Sequence, residues 1–276
     1  MVKAGNKIRQ PLISIITVVL NAADTLEKTL LSVLNQKFQD FEYIVVDGGS
    51  VDGTIDIIRK YESKLAHWES KKDKGVYDAM NKALSLIRGK WVYFLGADDQ
   101  LFNILGSVAD YLKDEKTIYY GNVYRPNMGG LYDGRFSAYK LACRNICQQS
   151  IFYPKCVWEK YAYNPRYPIF ADYDLNLRCF TDPDLEFRYM PLTIAVFSDE
   201  GGISSTKIDS AFQRDKLHLI RDIFPYWIYV LMALRSFFMM FLESFGLQEA
   251  SKNVYHSIRK MRSVPSVEKE SHKQNS

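Results

Sequence analysis

The sequence predicts an α/β fold in which a mostly parallel central sheet is flanked by helices and followed by a C-terminal helical segment. Three observations predict it. Apolar runs rich in Ile and Val alternate with stretches of helical periodicity through the first part of the chain, the pattern of βαβ units. The early strands end in polar motifs, at Asn21, Asp47 and Asp98–Asp99, and open parallel sheets bind ligands beyond the carboxyl ends of their strands. The composition, 47% hydrophobic and 25% charged over 276 residues, is that of an ordinary globular chain. A chain of this length holds a core without disulfides or metal.

The first strand is read over Leu12–Leu20, where Ile13, Ile15, Ile16, Val18 and Val19 are β-branched and Pro11 marks the entry. Lys3, Lys7 and Arg9 before it and Ala22–Ala23 after it imitate a secretory signal. Signal cores favour Leu and Ala, however, and a helix start follows here. Asp24 is a candidate N-cap for a helix with Leu26, Leu30, Val33 and Leu34 on one face. A second strand, Tyr43–Val46, ends in Asp47-Gly48-Gly49-Ser50, and Ile55, Ile58 and Tyr61 mark a second helix. After the charged loop Lys71–Gly75, residues Ala79, Met80, Ala83, Leu84 and Ile87 mark a third helix, closed by Gly89. Trp91–Leu95 is a third buried strand that runs into Gly96-Ala97-Asp98-Asp99. This half reads as a nucleotide-binding layer.

The second half carries shorter strands, at Thr117–Val123, Ser150–Tyr153, Phe187–Tyr189 and Thr193–Phe197, and a helix near Asp174–Phe180. From about Lys207 the pattern turns helical. Residues 1–10 read as an extension, 11–206 as the α/β domain, 207–262 as a helical region and 263–276 as a polar tail.

A net charge of +4, from 36 basic and 32 acidic residues, is too mild for a nucleic-acid binder. Cys143, Cys147, Cys156 and Cys179 form no C-x-x-C pair and lack a histidine at zinc-ligand spacing. They read as reduced thiols in a cytoplasmic protein. The aromatic stretch Phe224-Pro225-Tyr226-Trp227 through Leu242 is interrupted by Arg235, and no uncharged apolar run reaches spanning length. It reads either as an interfacial helix at a membrane surface, with Lys252, Arg259, Lys260 and Arg262 nearby, or as a helix packed on the domain or a dimer partner.

Four stretches carry candidate chemistry. Asp98 and Asp99 close an apolar strand; like charges this near repel, which a hard divalent ion such as Mg²⁺ or Mn²⁺ relieves. The alternative is a solvated pair at a helix N-terminus. Asp47 at its strand end accepts hydrogen bonds from a base or ribose, or else the motif is a tight turn with Asp52 capping the next helix. Its glycines lack the G-x-G-x-x-G and P-loop spacings, which argues against a dehydrogenase and a P-loop ATPase. In Asp73-Lys74-Gly75-Val76-Tyr77-Asp78-Ala79-Met80-Asn81-Lys82, the polar groups Asp78, Asn81 and Lys82 recur at helical spacing, and Lys74 and Lys82 screen a diphosphate or are solvated. In Ala171-Asp172-Tyr173-Asp174, Asp172 is a helix cap or a general base, and Asp174–Arg178 an i,i+4 pair.

In this order and spacing, the four stretches resemble the family-2 inverting glycosyltransferases with the GT-A (Rossmann-like) fold, of the bacterial polysaccharide-assembly type, from about Pro11 to Ser205. The resemblance implies that Thr17, Asn21, Asp47 and Ser50 line the nucleotide pocket of a UDP-sugar, and that Asp78 and Asn81 face the donor sugar and phosphates. It implies that Asp98, the last carboxylate of a D-x-D pattern, ligates Mn²⁺ or Mg²⁺ with Asp99 beside it. Asp172 stands at the catalytic base, Gln148 and Gln149 on the acceptor side, and Gly201-Gly202-Ile203-Ser204 in a flexible segment near the site. The implied acceptor is a saccharide or lipid-linked saccharide. Three positions depart from the pattern: Gly96 replaces its first Asp, Ala171 a frequent Glu, and Cys147 a frequent His.

Overall fold

The first strand forms as β1 (Ile13–Val19), buried at all but one of its positions. A strand so apolar on both faces belongs inside a sheet covered on both sides, and β1 pairs in parallel with β2 (Phe41–Asp47) on one side and β4 (Trp91–Phe94) on the other. The computed structural model that shows this describes residues 10–127, 129–198 and 208–244. β3 (His67–Ser70) adds in parallel to β2 at the sheet edge; its sequence, His-Trp-Glu-Ser, gives no strand signal. Helices α1 (Leu26–Leu34), α2 (Thr54–Tyr61) and α3 (Val76–Ala83) join these strands.

Two capping expectations differ in detail. Asp24 does not cap α1, because Thr25 occupies that position and turns its hydroxyl to the Ala97 carbonyl, 3.0 Å away. Gly53, at φ +100°, occupies the cap of α2, while Asp52 accepts from the Thr54 N–H at 3.0 Å. Asp52 also accepts from Ala23 N–H at 3.0 Å, which ties the β1 and β2 loops together.

Beyond β4 the sheet is mixed. β8 (Ile151–Pro154) runs antiparallel to β4 and to β6 (Thr117–Arg125), and β6 pairs in parallel with β9 (Glu186–Val196). β5 (Gln100–Leu101) lies antiparallel on β9, and β7 (Gly130–Tyr132) on β6. The order is β3-β2-β1-β4-β8-β6-β9-β5. The parallel arrangement read from the sequence therefore holds from β1 to β4, where helices cross over between strands, and beyond β4 the sheet gains antiparallel pairs, of which only β6–β7 is joined by a short connection. The two strands expected at Phe187–Tyr189 and Thr193–Phe197 are one, β9. Pro191, which has no N–H to give a ladder, lies where the β6–β9 register slips between Tyr120 and Asn122. Aromatic rings fill the interior: Tyr93 stacks on Phe152 at 4.6 Å and Trp91 meets Tyr119 edge-on at 6.3 Å.

Three short helices, α4 (Leu105–Ala109), α5 (Ala138–Cys143) and α6 (Lys155–Lys160), fill connections, and α7 (Ala171–Phe180) follows. α8 (Ser210–Ile223) packs its Phe212 ring 5.1 Å from Tyr173 and 5.3 Å from Tyr167. Asp209 caps α8 through Phe212 N–H and accepts from Ile169 N–H, both at 3.0 Å. The chain divides into compact units of residues 1–229 and 230–276. α9 (Tyr226–Ser244) exposes Tyr226, Trp227, Leu234, Phe237, Phe238 and Met240. Among the described residues no helix is long and apolar enough to cross a membrane. The 201–204 segment, the 263–276 tail and residues 245–262 of the helical region lie outside the described residues.

Candidate active site

The β1 and β2 ends are stitched into one wall. Asn21 adopts φ +51°, a left-handed conformation that asparagine tolerates better than most residues. Its N–H donates to Ser50 Oγ at 2.7 Å, and its Oδ1 accepts from Val51 N–H at 2.9 Å. Ser50 Oγ donates in turn to Asp47 Oδ1. Asp47 Oδ2 accepts from Gly49 N–H (2.9 Å), Ser50 N–H (3.0 Å) and Ser70 Oγ (2.6 Å). Asp47 is fully buried, so its charge is spent bracing the turn. Thr17, equally buried, shares a 2.9 Å hydrogen bond with the Tyr43 hydroxyl.

The acidic pair after β4 is not a solvated helix start. Residues 96–99 turn directly into β5, and the two carboxylates part company: Asp98 is exposed and Asp99 is 1% exposed. Asp99 Oδ1 accepts from Ser198 N–H at 2.8 Å. Its buried Oδ2 has no donor in hydrogen-bonding geometry, although the Gln149 amide lies close enough to favour the charge. Burial, reinforced by Asp98, pushes the Asp99 carboxyl up to about 7, and burial also raises Asp98. α1 holds the turn from below: Thr29 Oγ1 lies 3.0 Å from the Ala97 carbonyl and 2.7 Å from that of Asp99.

Both carboxylates face Gly96. A Cβ built there would overlap Asp99 Oδ2 and stand 3.1 Å from Asp98 Oδ1. The missing side chain leaves a gap edged by two carboxylate oxygens, one of them buried and unpartnered. That fits a hard divalent cation that completes its shell with waters and a diphosphate. Among the described residues no group of three His, Cys, Asp or Glu side chains gathers as a metal cage.

The loop before α3 is an Asx turn in which Asp73 Oδ1 accepts from Gly75 N–H at 2.8 Å. Asp78 accepts from Lys74 N–H at 2.9 Å and pairs with Lys82 at 2.8 Å, so Lys82 screens Asp78. Asn81 spends both ends of its amide on the backbone of Tyr163, at 2.9 and 3.0 Å. Tyr77 points inward: its hydroxyl is 2.8 Å from Asp172 Oδ1 and 2.8 Å from the Ile169 carbonyl.

Asp172 is the second residue of α7 rather than its cap; its partly exposed carboxylate meets the Tyr77 hydroxyl and also lies close to the backbone N–H groups of the first helical turn. Asn145 Nδ2 donates to Asp172 Oδ2 at 2.7 Å. Burial is the main reason the Asp172 carboxyl rises to about 6, against the pull of the Tyr77 and Asn145 hydrogen bonds. The expected Asp174–Arg178 pair forms at 2.8 Å. Cys147 lies within electrostatic reach of both acidic centres: burial raises its thiol, with Asp99 and Asp172 adding to the effect. Its Sγ donates to Gln149 Oε1 at 3.1 Å, and Gln148 Nε2 donates to the Tyr163 hydroxyl at 2.6 Å.

The structure thus brings Asp98, Asp99, Gln149, Cys147 and Asp172 into one neighbourhood and joins Asn21, Asp47 and Ser50 in another. Sequence reasoning missed Asn145, Thr29 and the inward role of Tyr77. A buried-type helix carrying Thr29 among leucines was the available signal for the second.

Residues 14–173 match the model of glycosyl transferase family 2. A PGL/p-HBAD biosynthesis glycosyltransferase of Mycobacterium bovis is 39% identical over 213 residues, which cover 73% of this chain and 82% of that protein. TuaG of Bacillus subtilis, named for teichuronic acid biosynthesis, is 40% identical over 94 residues, 33% of this chain and 37% of its own. Among solved structures, S. aureus TarS 1-349 in complex with UDP-GlcNAc aligns with a TM-score of 0.60 at 19% identity, over 77% of this chain; the chain spans 65% of that one. The mannosyltransferase PcManGT of Pyrobaculum calidifontis, in complex with GDP-Man and Mn²⁺, aligns with a TM-score of 0.58 at 15% identity, over 92% of this chain and 88% of its own. These two likenesses carry the GT-A fold. By the extent of the family match and of the mycobacterial relationship, the chain belongs to glycosyl transferase family 2.

Proposed function

We propose that this protein transfers a sugar from a nucleotide-diphosphate sugar of the UDP class to a hydroxyl of a saccharide or lipid-linked saccharide acceptor, with inversion, during assembly of a cell-surface glycan. The observation that carries the reading is that Asp172, tied by Tyr77 and Asn145, and the acidic gap at Gly96 both lie within electrostatic reach of Cys147. The relatives named for PGL and teichuronic acid biosynthesis support the glycan setting, and a neighbour that holds UDP-GlcNAc supports the donor class.

Asp172 takes the proton of the acceptor hydroxyl as its oxygen attacks the anomeric carbon, and the bond to the diphosphate breaks on the opposite face. An unperturbed Asp is a poor base for an alcohol, and burial brings this one nearer the working pH. Asp98, with Asp99 beside it, would hold Mn²⁺ or Mg²⁺, which when bound neutralises charge on the departing diphosphate, worth several kcal/mol. The wall of Asn21, Asp47 and Ser50 supports the nucleotide, with Asp47 fixing the loop. Thr17 fixes the sheet beneath it, and Asp78 and Asn81 shape the donor side through Lys82 and Tyr163. Gln148 and Gln149 border the acceptor side.

The exposed apolar face of α9 and the basic residues Lys252, Arg259, Lys260 and Arg262 support peripheral contact with the cytoplasmic face of a membrane that presents the acceptor. Flotation of the full chain with anionic liposomes, lost on Phe237→Ser with Phe238→Ser, tests this. Retention of flotation by that variant, or a dimer in its wild-type parent that the variant abolishes, would point to protein packing instead.

The deciding experiment for the activity is nucleotide release with Mn²⁺ over a panel of UDP-, GDP- and dTDP-sugars. Asp172→Asn lowers turnover by about 10²–10⁴-fold, and Asp98→Ala abolishes Mn²⁺ dependence while the protein stays folded. Donor binding without release by the wild type would make the chain a nucleotide-sugar-binding relative.

A further inference from the structure

The amide that serves Asp172 is itself aimed by a second amide. A carboxylate only accepts, so the Asn145 group facing Asp172 Oδ2, at 2.7 Å, is its NH₂. That turns Asn145 Oδ1 toward Asn176, whose Nδ2 donates to it at 2.8 Å. Asn176 Oδ1 is then left to accept from the Tyr153 hydroxyl, at 2.8 Å. Asn176 and Tyr153 are fully buried. The result is a chain of donors running one way, from β8 through α7 to the carboxylate, with each orientation fixed by the one after it. On the other oxygen the partner is different in kind: the Tyr77 hydroxyl has two acceptors at 2.8 Å, Asp172 Oδ1 and the Ile169 carbonyl, and one hydrogen.

We propose that Asn145 is a positioning residue for proton transfer at Asp172, oriented by Asn176 and Tyr153, and that Tyr77 exchanges hydrogen-bond partners when Asp172 takes up the proton. The inference rests on reading Asp172 as the base. The acceptor O–H bond breaks, its electron pair stays on the acceptor oxygen for attack, and the proton passes to Asp172. Asn145 has only N–H to offer, so a proton on Oδ2 weakens that bond, since a protonated carboxyl oxygen is a poor acceptor. A proton on Oδ1 loses nothing: Tyr77 turns its hydrogen to the Ile169 carbonyl and accepts from the new Oδ1–H. The base therefore has one oxygen held in place and one that receives.

The titratable groups facing Asp172 are Tyr77 from α3, Tyr153 from β8, Tyr163 and Cys147. Burial raises all four, so they stay neutral over the working range, and the relay acts on Asp172 by hydrogen bonding alone.

The test uses the full chain with aspartate carboxyls ¹³C-labelled, the Asp172 resonance being identified by its loss in Asp172→Asn. In Asn145→Ala the Asp172 midpoint moves up by about one unit, as expected for loss of a bond to the charged form. Tyr153→Phe moves it in the same direction by less, and Tyr77→Phe raises it as well. Nucleotide release from UDP-glucose and UDP-GlcNAc, followed across pH, shows the acid limb of kcat moving with the midpoint. On the acid limb, well below both midpoints, kcat falls about tenfold in Asn145→Ala, and at pH 7 only about twofold, as a one-unit shift from about 6 gives, while KM for the nucleotide-sugar changes little. A folded Asn145→Ala whose Asp172 midpoint does not move overturns the relay. If that variant does not fold, an unmoved midpoint in Tyr153→Phe overturns it equally. Moved midpoints in a wild type and variants that release no nucleotide from either sugar uphold the relay and count against the transferase reading.

Discussion

Gly96 and Asp99 compete for one volume: a side chain at the first would occupy the place of the buried carboxylate oxygen of the second. The D-x-D pattern that this chain resembles carries a carboxylate at position 96. Here position 96 has no side chain, and Asp99 Oδ2 lies against the glycine, shut off from solvent. The loop keeps two carboxylates at the gap although the pattern is broken.

Gly96→Ala forces the Asp99 side chain outward. The substitution destabilises the protein by about 1–3 kcal/mol, the usual range for overpacking, and Gly96→Asp does so more strongly because it adds a third like charge. Urea denaturation measures the loss, and Mn²⁺-dependent thermal stabilisation measures the gap itself. An Ala variant with wild-type stability and an unchanged Mn²⁺ response would show that Asp99 has no fixed place there.

Stability of the cation-free protein falls as pH rises from about 4 toward 7, the interval between an ordinary Asp and the values reached by these two groups. Asp99 at about 7 and Asp172 at about 6 both lie above the unfolded value. The folded state therefore binds more protons than the unfolded one in that interval, and the stability present below it is lost on ionisation. At about 1.4 kcal/mol per unit, the two together account for a few kcal/mol. Urea melts at pH 5 and pH 8 give the difference, and Asp99→Asn removes most of it. A wild type more stable at pH 8 than at pH 5 without divalent ions contradicts this assignment.

How much of this was legible depended on the range of the interaction. β1 and β4 are plain in the sequence because Ile13–Val19 and Trp91–Phe94 are apolar runs whose burial is a local property. β9 is not, because Pro191 interrupts a strand that tolerates it only at a bulge opposite Asn122. The acidic pair and Asp172 stand out as residue types, and their roles came from the resemblance. Asn145 does not stand out. It lies in a loop, and its partners Asp172 and Asn176 are 27 and 31 positions away, so only the folded chain shows an amide aimed at a carboxylate. Tyr77 lies inside a recognised motif, yet its partner is 95 positions on. At Asp47 the residue type suggests a ligand, and the folded chain adds what the sequence does not show, that the carboxylate braces the 47–50 turn.

At the opposite end of the sheet, Glu42 is a fold determinant. Its Oε1 accepts from Ser14 Oγ (2.6 Å), Arg88 N–H (2.5 Å) and Gly89 N–H (3.2 Å), and its Oε2 from Arg88 Nε (2.7 Å). It is 5% exposed and joins β1 and β2 to the segment entering β4. Glu42→Ala strands the Ser14 hydroxyl and the Arg88 and Gly89 N–H groups and lowers stability by about 1–3 kcal/mol for each donor left buried without a partner. Arg88→Ala has a smaller effect, because the Arg88 side chain is 55% exposed and the backbone donors remain. Equilibrium denaturation of the two variants checks the order, and equal losses would place the energy in the ion pair rather than in the buried carboxylate.

Thr29 tests whether the metal-side loop is held from α1. Its hydroxyl is its only polar atom, and it serves the carbonyls of Ala97 and Asp99 on either side of Asp98. Valine has nearly the same shape, so Thr29→Val removes the hydrogen bond with little change in packing. A hydroxyl has one hydrogen, which the shorter distance assigns to the Asp99 carbonyl, so the substitution leaves that carbonyl without its donor, a loss of about 1–3 kcal/mol where the group is buried. If the loop is positioned by this contact, part of that loss appears as weaker Mn²⁺-dependent stabilisation, several-fold in apparent affinity, beyond the drop in melting temperature without metal. Thr25, which also reaches the Ala97 carbonyl at 3.0 Å, still holds one side of the turn, so the loop shifts rather than unfolds. Thr25→Val with Thr29→Val together then lower Mn²⁺ affinity by more than the sum of the single changes, since each alone leaves the other donor in place. Additive effects of the two substitutions would mean that the carbonyls are held independently of one another.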